Sequence, residues 1–269
     1  MLFLIDLDGV LFRGNKVIKN APKTIKSILK AGHKVIYLTN NATQSRLQYV
    51  YKLRKMNFPC TINNIMTSAY ATCLYLKENN AKKIIVIGEN GLKQELKNIG
   101  TPALPLTYKG KVEYIIVGLD RAFNYNKLCR AQELILKGAK FIATNRDNTW
   151  PAENRIYPGG GSIVSAIEAA TSIKPIVIGK PQTYVFKKTL EITKTSPKDT
   201  IIVGDRLDTD ILLGKKIGAK TVLVLTGVTT LLQAKTSPKK MHPDYIFKDI
   251  SGLLKILSPV IPAPYRSTG

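Results

Sequence analysis

Two aspartates, Asp6 and Asp8, stand two residues apart at the end of the apolar run LFLID at 2–6, just before Gly9. A bend at the glycine would turn both carboxylates into one pocket. At its ordinary pKa of about 3.9 an aspartate is already an anion at neutral pH. It can therefore attack phosphorus without a base to activate it, giving an acyl phosphate. Asp6 is the candidate nucleophile. Asp8 can then protonate the leaving oxygen and later take a proton from the attacking water, work typically worth about 10²–10⁴-fold. To donate, Asp8 must hold a proton, so acidic neighbours are expected to raise its pKa.

Three further segments follow β-like runs, which is where open α/β sheets place their sites. Thr39 and Asn40, with Asn41 behind them, offer a hydroxyl and consecutive N–H groups that can hold phosphoryl oxygens. Alone, such a pair is equally a turn or a helix cap. Lys180, in Gly179-Lys180-Pro181, can neutralise a phosphate and steady the nucleophile. Alone, it is one lysine among many exposed ones. The run Gly204-Asp205-Arg206-Leu207-Asp208-Thr209-Asp210 puts three carboxylates at the end of an apolar strand, which is costly without a cation. Mg²⁺ takes octahedral oxygen ligands, and Asp6, the Asp8 carbonyl and Asp205 would supply three. The blander reading is an acidic loop entering a capped helix near Asp208.

In combination the strings are specific. DLDGV, TNN, GKP and GDRLDTD, in that order, resemble the four motifs of the haloacid dehalogenase superfamily of phosphohydrolases. The resemblance implies Asp6 as nucleophile and Asp8 as acid and base. It implies Thr39, Asn40 and Lys180 on the phosphate, Asp205 as a Mg²⁺ ligand, and Asp210 and Gly204 in support. The long stretch between the TNN and GKP strings resembles the C2 cap of the subfamily of nitrophenyl-phosphatase, phosphoglycolate phosphatase and NagD-like enzymes. VIGENGL (86–92), VGLDRAFNYNKL (117–128), ATNRDNTWP (143–151) and PGGGSIV (158–164) carry that likeness. Small phosphorylated metabolites are the implied substrates, and a homodimer through the cap is the implied assembly. Within the cap, Asn145, Asp147 and Asp120 lie past strand ends and are candidates to meet the leaving group, or else are turn residues. The Gly159–Gly161 run would meet an anion or form a tight helix entry.

These residues need strands to carry them. Apolar, β-branched runs at 2–6, 33–39, 83–88, 113–118, 140–144, 200–205 and 220–227 alternate with amphipathic stretches at 22–31, 44–56, 68–78, 90–98, 126–138, 161–171, 183–194, 208–217 and 248–257. Such alternation predicts an α/β fold, a doubly wound, Rossmann-like parallel sheet with helices on both faces. Gly32, Gly138 and Gly218 mark helix stops. The motifs lie at both ends of the chain, so a catalytic core at 1–79 and 175–269 is expected, interrupted by a smaller α/β cap at 80–174.

Composition removes other classes. The chain has 269 residues and no apolar run near the ~20 needed to cross a bilayer. Its start lacks a basic signal-peptide region, so residence in the cytoplasm is expected. Cys60, Cys73 and Cys129 form no CxxC pair and are expected to be reduced thiols; two histidines cannot make a His-rich zinc site. The formal charge is +23, but the lysines are spread along the chain, which suits a solvated surface better than a nucleic-acid interface. Two other functions remain open at this point. A receiver-like signalling module also groups an acidic pocket with Thr and Lys, though at about half this length and without an insert. A phosphotransferase would share every catalytic residue.

Overall fold

The strand Leu2–Ile5 is wholly buried and lies between Lys34–Thr39 and Thr200–Gly204 in a six-stranded sheet. The remaining strands extend it on both sides, Ile65–Thr67 beyond Lys34–Thr39, and Lys220–Val224 then Tyr245–Phe247 beyond Thr200–Gly204. Every pairing is parallel. Continuous apolar strands are what a sheet covered on both faces requires. The chain leaves the first strand in one direction and later returns to build in the other. The carboxyl ends of Leu2–Ile5 and Thr200–Gly204 therefore form the switch point, the crevice where such sheets bind ligands. The computed structural model describes residues 1–151 and 155–257.

A second parallel sheet, of four strands, is built from Ile84–Ile87, Tyr114–Val117, Lys140–Ala143 and Ile176–Val177. Ile176–Val177 thus joins the inserted sheet although it lies just beyond the cap limit expected from sequence. Two short antiparallel hairpins complete the strands, Phe12–Arg13 with Lys16–Val17 and Thr149–Pro151 with Ile156–Pro158. Ile65–Thr67 and Tyr245–Phe247 escape a sequence reading because three residues are too few to show a period. Gly32, Gly138 and Gly218 all take left-handed backbone at helix ends, as expected.

The stretch expected as a helix at 208–217 begins differently. Leu207–Ile211 is a wide π-type turn, with Arg206 O accepting from both Asp210 N (3.1 Å) and Ile211 N (3.2 Å), before the helix Leu212–Ile217. Turns of this type occur often at functional sites. The stretch at 248–257 is likewise a 3₁₀ turn, Ile250–Gly252, followed by the short helix Leu253–Leu257.

The two sheets share packing. One apolar cluster runs from Leu2 and Leu4 through Ala71, Cys73 and Leu76 of the helix Ser68–Glu78 to Ile84, Val86 and Ile116 of the smaller sheet. Beside it lies a buried ion pair. Glu95, in the helix Asn90–Asn98, has no exposed surface and accepts from Arg46 N (2.6 Å) and Arg46 Nε (3.3 Å). The Arg46 guanidinium also sits 3.3 Å from the centroid of the Tyr70 ring. Removing one partner of a buried pair strands the other. Glu95→Ala is therefore expected to lower the unfolding free energy by roughly 3 kcal/mol or more in a urea titration, and a change within about 0.5 kcal/mol would refute this role.

Candidate active site

Strand register brings the two ends of the chain together. Ile5 pairs with Val203, and Asp6 N donates to Val203 O (2.9 Å), so Asp6 and Asp205 leave adjacent strands side by side. Carboxylate oxygens of Asp6, Asp205 and Asp210 all lie within 4.8 Å of one another. Lys180 Nζ, 3% exposed, donates to Asp6 Oδ1 at 2.7 Å and to Asp210 Oδ1 at 2.6 Å. All four residues, with Asp8, Thr39 and Asn40, line or adjoin one cleft of about 250 Å³.

Two glycines make the approach possible. Gly9 has φ +84°, and a Cβ there would come 2.5 Å from Asp205 Oδ2. A Cβ on Gly204 would lie 2.2 Å from the Asp210 side chain, so the supporting place expected for Gly204 is one of space. Asp205 is held by a loop that sequence reasoning did not reach. Val228 N donates to its Oδ2 (2.8 Å) and Thr229 N to its backbone O (3.1 Å). Asp210 accepts from Arg206 N (3.3 Å) as well as from Lys180.

The Asp205 Oδ1 atom is buried and has no hydrogen-bond partner in the protein. An orphaned carboxylate oxygen of this kind carries a large desolvation cost. Three carboxylates also face a single ammonium, which leaves the cluster negative. Both observations fit a divalent cation with hard oxygen ligands, such as Mg²⁺, held by Asp6 and Asp205.

The protonation equilibria carry the same strain. In the metal-free pocket Asp6 is raised well above its ordinary value, by burial first and by Asp210 and Asp205 as well, against Lys180. Burial and the neighbouring carboxylates thus disfavour the Asp6 anion, and a cation held by Asp6 and Asp205 would favour it again. Asp8 is also raised, but by burial rather than by acidic neighbours, while Lys52 and Lys180 oppose the shift. Asp205 is raised to about 7, by burial and then by Asp210. Burial favours the neutral amine of Lys180, yet Asp210 and Asp6 outweigh it and raise its pKa, so it stays charged.

The side chain of Asn40 is committed to Lys180 and the neighbouring loop. Its Oδ1 accepts from Lys180 N (2.8 Å), and its Nδ2 donates to Lys180 O (2.9 Å) and Asp147 Oδ1 (3.0 Å). The amide is fully engaged in fixing the lysine, so only the backbone of Asn40 is left for a phosphate. Thr39 is 3% exposed and its hydroxyl accepts from Asn41 N (3.1 Å). The helix that follows starts only at Arg46, capped by Ser45, so the N–H groups at 39–41 belong to the strand end and the loop after it rather than to a helix end.

The structure brings two of the three cap candidates to the cleft. Asn145 Nδ2 donates to Asn40 O (2.8 Å), and Asp147 N donates to Asn145 Oδ1 (3.1 Å). The glycine run holds this loop: Gly159 N donates to Asn148 O (2.7 Å) and Gly161 N to Asp147 O (2.9 Å), so it forms a tight helix entry. Asp120 is not in the cleft. Its carboxylate closes a turn with Ala122 N (3.0 Å) and pairs with Lys127 Nζ (2.7 Å), facing an adjoining groove. Arg146 pairs with Glu168 at 2.7 Å and does not line the cleft either.

Residues 3–102 match the family described as haloacid dehalogenase-like hydrolase, and a second family of the same kind matches residues 177–253. An acid sugar phosphatase of Staphylococcus epidermidis is 36% identical over 93% of this chain and 95% of its own length. The chain belongs to the haloacid dehalogenase-like hydrolases. Among solved structures, a p-nitrophenyl phosphatase from Archaeoglobus fulgidus superposes with a TM-score of 0.87 at 33% identity, covering 94% of this chain and 98% of its own. A glycerol phosphate phosphatase from Mycobacterium tuberculosis in complex with magnesium superposes with a TM-score of 0.85 at 29% identity, covering 94% and 75%. No helix among the described residues is long and apolar enough to cross a membrane.

The raised Asp205 sets a pH dependence. Between its ordinary value of 3.8 and about 7 the folded, metal-free chain keeps a proton that the unfolded chain has released. Stability of that form therefore falls as pH rises through this window. Metal must displace the proton, so the Tm increase caused by Mg²⁺ is expected to grow across the window and level off above it. Thermal melts with and without Mg²⁺ at about pH 5 and about pH 8 check this, and an equal increase at both would contradict it.

Proposed function

We propose that this haloacid dehalogenase-like hydrolase is a Mg²⁺-dependent phosphomonoesterase that acts on small organic phosphates through an acyl phosphate on Asp6. The observation that carries the reading is the pocket shared by Asp6, Asp205 and Lys180, with one buried carboxylate oxygen left for a cation. The names of its relatives share this reaction and differ only in the alcohol released.

The Asp6 carboxylate forms a bond to phosphorus as the ester P–O bond breaks. Asp8, kept protonated by burial, gives its proton to the departing alcohol oxygen. A water then attacks phosphorus, Asp8 takes back a proton, and the bond to Asp6 breaks, releasing inorganic phosphate. Lys180 and the Thr39 hydroxyl steady the charge on the phosphoryl oxygens, and Asn40 keeps Lys180 in place. A Mg²⁺ held by Asp6 and Asp205 would supply positive charge that offsets the charge of the phosphoryl oxygens. The inserted sheet serves as a cap: its loop at 145–147 closes over Asn40 and bounds the space for the leaving group.

Turnover of p-nitrophenyl phosphate with and without EDTA tests the reading. Chelation is expected to abolish activity. Asp6→Asn, which keeps the shape and loses the anion, is expected to cost roughly 10³-fold or more, and Asp8→Asn about 10²–10⁴-fold. Wild-type rates in Asp6→Asn would overturn the mechanism.

A further inference from the structure

Beyond the phosphate-side cleft lies a second space of about 500 Å³ within the smaller domain. It shares Leu119, Arg121, Trp150 and Gly159 with the cleft, so the two are continuous. The cleft alone, at about 250 Å³, is smaller than the ~300–1,000 Å³ usual for a complete ligand site. With a phosphoryl group seated beside Asp6, the far end of a larger alcohol would extend toward the second space.

The chemistry of that extension is legible. Trp150 stacks on Tyr157 with ring centroids 5.0 Å apart and planes 17° apart. The indole is half-buried and borders both spaces, and Phe123 and Ile163 add apolar wall. The charges present are already answered. Asp120 pairs with Lys127 at 2.7 Å, and Arg121 pairs with both oxygens of Glu89 at 2.6 and 2.7 Å. Of the cations lining the cleft, Lys180 is engaged by Asp6 and Asp210 and Arg206 by Asp208. A carboxylate or second phosphate reaching the second space would meet Arg121, already committed to Glu89. A flat, uncharged ring would meet aromatic surface.

We propose that this groove is a leaving-group subsite for a flat, neutral ring, with Trp150 as the residue that recognises it. The preferred substrates are phosphate monoesters of aryl alcohols or nucleosides, ahead of phosphates of short polyols or hydroxy acids. This deepens the phosphomonoesterase reading and rests on it. Trp150 does not touch the phosphoryl group and takes no part in bond breaking.

Trp150 is the single tryptophan of the chain, so its emission reports the subsite directly. Titrating the Asp6→Asn variant with phenyl phosphate and with uridine monophosphate, Mg²⁺ present, is expected to give a saturable change in emission. Glycerol phosphate should give none. In the otherwise wild-type enzyme, Trp150→Ala should raise KM for the ring esters by roughly 5- to 150-fold, the range that losing a ring-on-ring stack implies, with kcat nearly unchanged. Its kcat/KM for glycerol phosphate should move less than about twofold, and Trp150→Phe should restore most of the ring-ester KM. A response to only one of the two ring probes would assign the subsite to aryl or to nucleoside esters. Equal losses for ring and polyol esters, or turnover of phenyl phosphate with silent emission, would overturn the subsite. Absence of all turnover would instead sink the phosphatase reading, and the emission titration would still judge the subsite.

Discussion

One electrostatic constraint governs the molecule: three buried carboxylates, those of Asp6, Asp205 and Asp210, are gathered around a single ammonium, that of Lys180. Two unit charges no more than 4.8 Å apart repel by about 3 kcal/mol or more even at an effective dielectric of 20. Three such repulsions, added to the desolvation of each group, exceed what two contacts to one lysine can offset comfortably. The strain is visible in protonation, since burial and mutual repulsion raise Asp6 and Asp205. It is visible in bonding too, since Asp205 Oδ1 has no partner. A divalent cation relieves all three at once. The same pocket is therefore a poor place for bare carboxylates and a good one for a metal and a phosphoryl group.

Holding the cluster in place demands a scaffold that does not yield. The central strands are buried along their whole length and paired in parallel register, which fixes Asp6 relative to Asp205. Gly9 and Gly204 supply the clearance. The wide turn at Leu207–Ile211 aims Asp210 back at Lys180 instead of out along a helix. Lys180 is held from below by carboxylates and from its own backbone by the Asn40 amide. Shared apolar packing and the Arg46–Glu95 pair tie the smaller sheet to the larger one, so the loop at 145–147 meets the site from a settled position.

Much of this was legible in sequence because the signals were dense. Seven β-rich runs, each continuous rather than alternating, declared a parallel sheet, and four motifs at strand ends declared a pocket. What escaped was whatever depends on three-dimensional neighbours. Ile65–Thr67 and Tyr245–Phe247 are too short to carry a period. Val228 grips Asp205 through its backbone N–H, which any residue but proline possesses, so its type gives no sign of the role. Asn40 offered a backbone N–H to a phosphate; only the fold shows that its side chain is bonded to Lys180 and Asp147. Asp120 looked like Asp147, each an acidic residue past a strand end, and the two part company because Lys127, in the first turn of the helix Tyr125–Leu136 that follows, reaches back to the first. The raised pKa of Asp8 was foreseen with the wrong cause, since burial cannot be read from a list of acidic neighbours.

The same Asn40 joins the two halves of the problem. Its backbone carbonyl receives Asn145 and its side chain receives Asp147, both from the cap loop, while that side chain also fixes both backbone polar groups of Lys180. Five residues later in sequence than Asn145, Trp150 borders the space for the alcohol. A displacement of the loop at 145–147 by an ill-fitting alcohol would therefore be felt, through one amide, by the lysine that faces Asp6. Buried hydrogen-bond networks of this kind transmit small displacements because each bond has little room to relax. Recognition of the alcohol and steadying of the phosphoryl group are thus not separate tasks in this fold; they meet at the side-chain amide of Asn40.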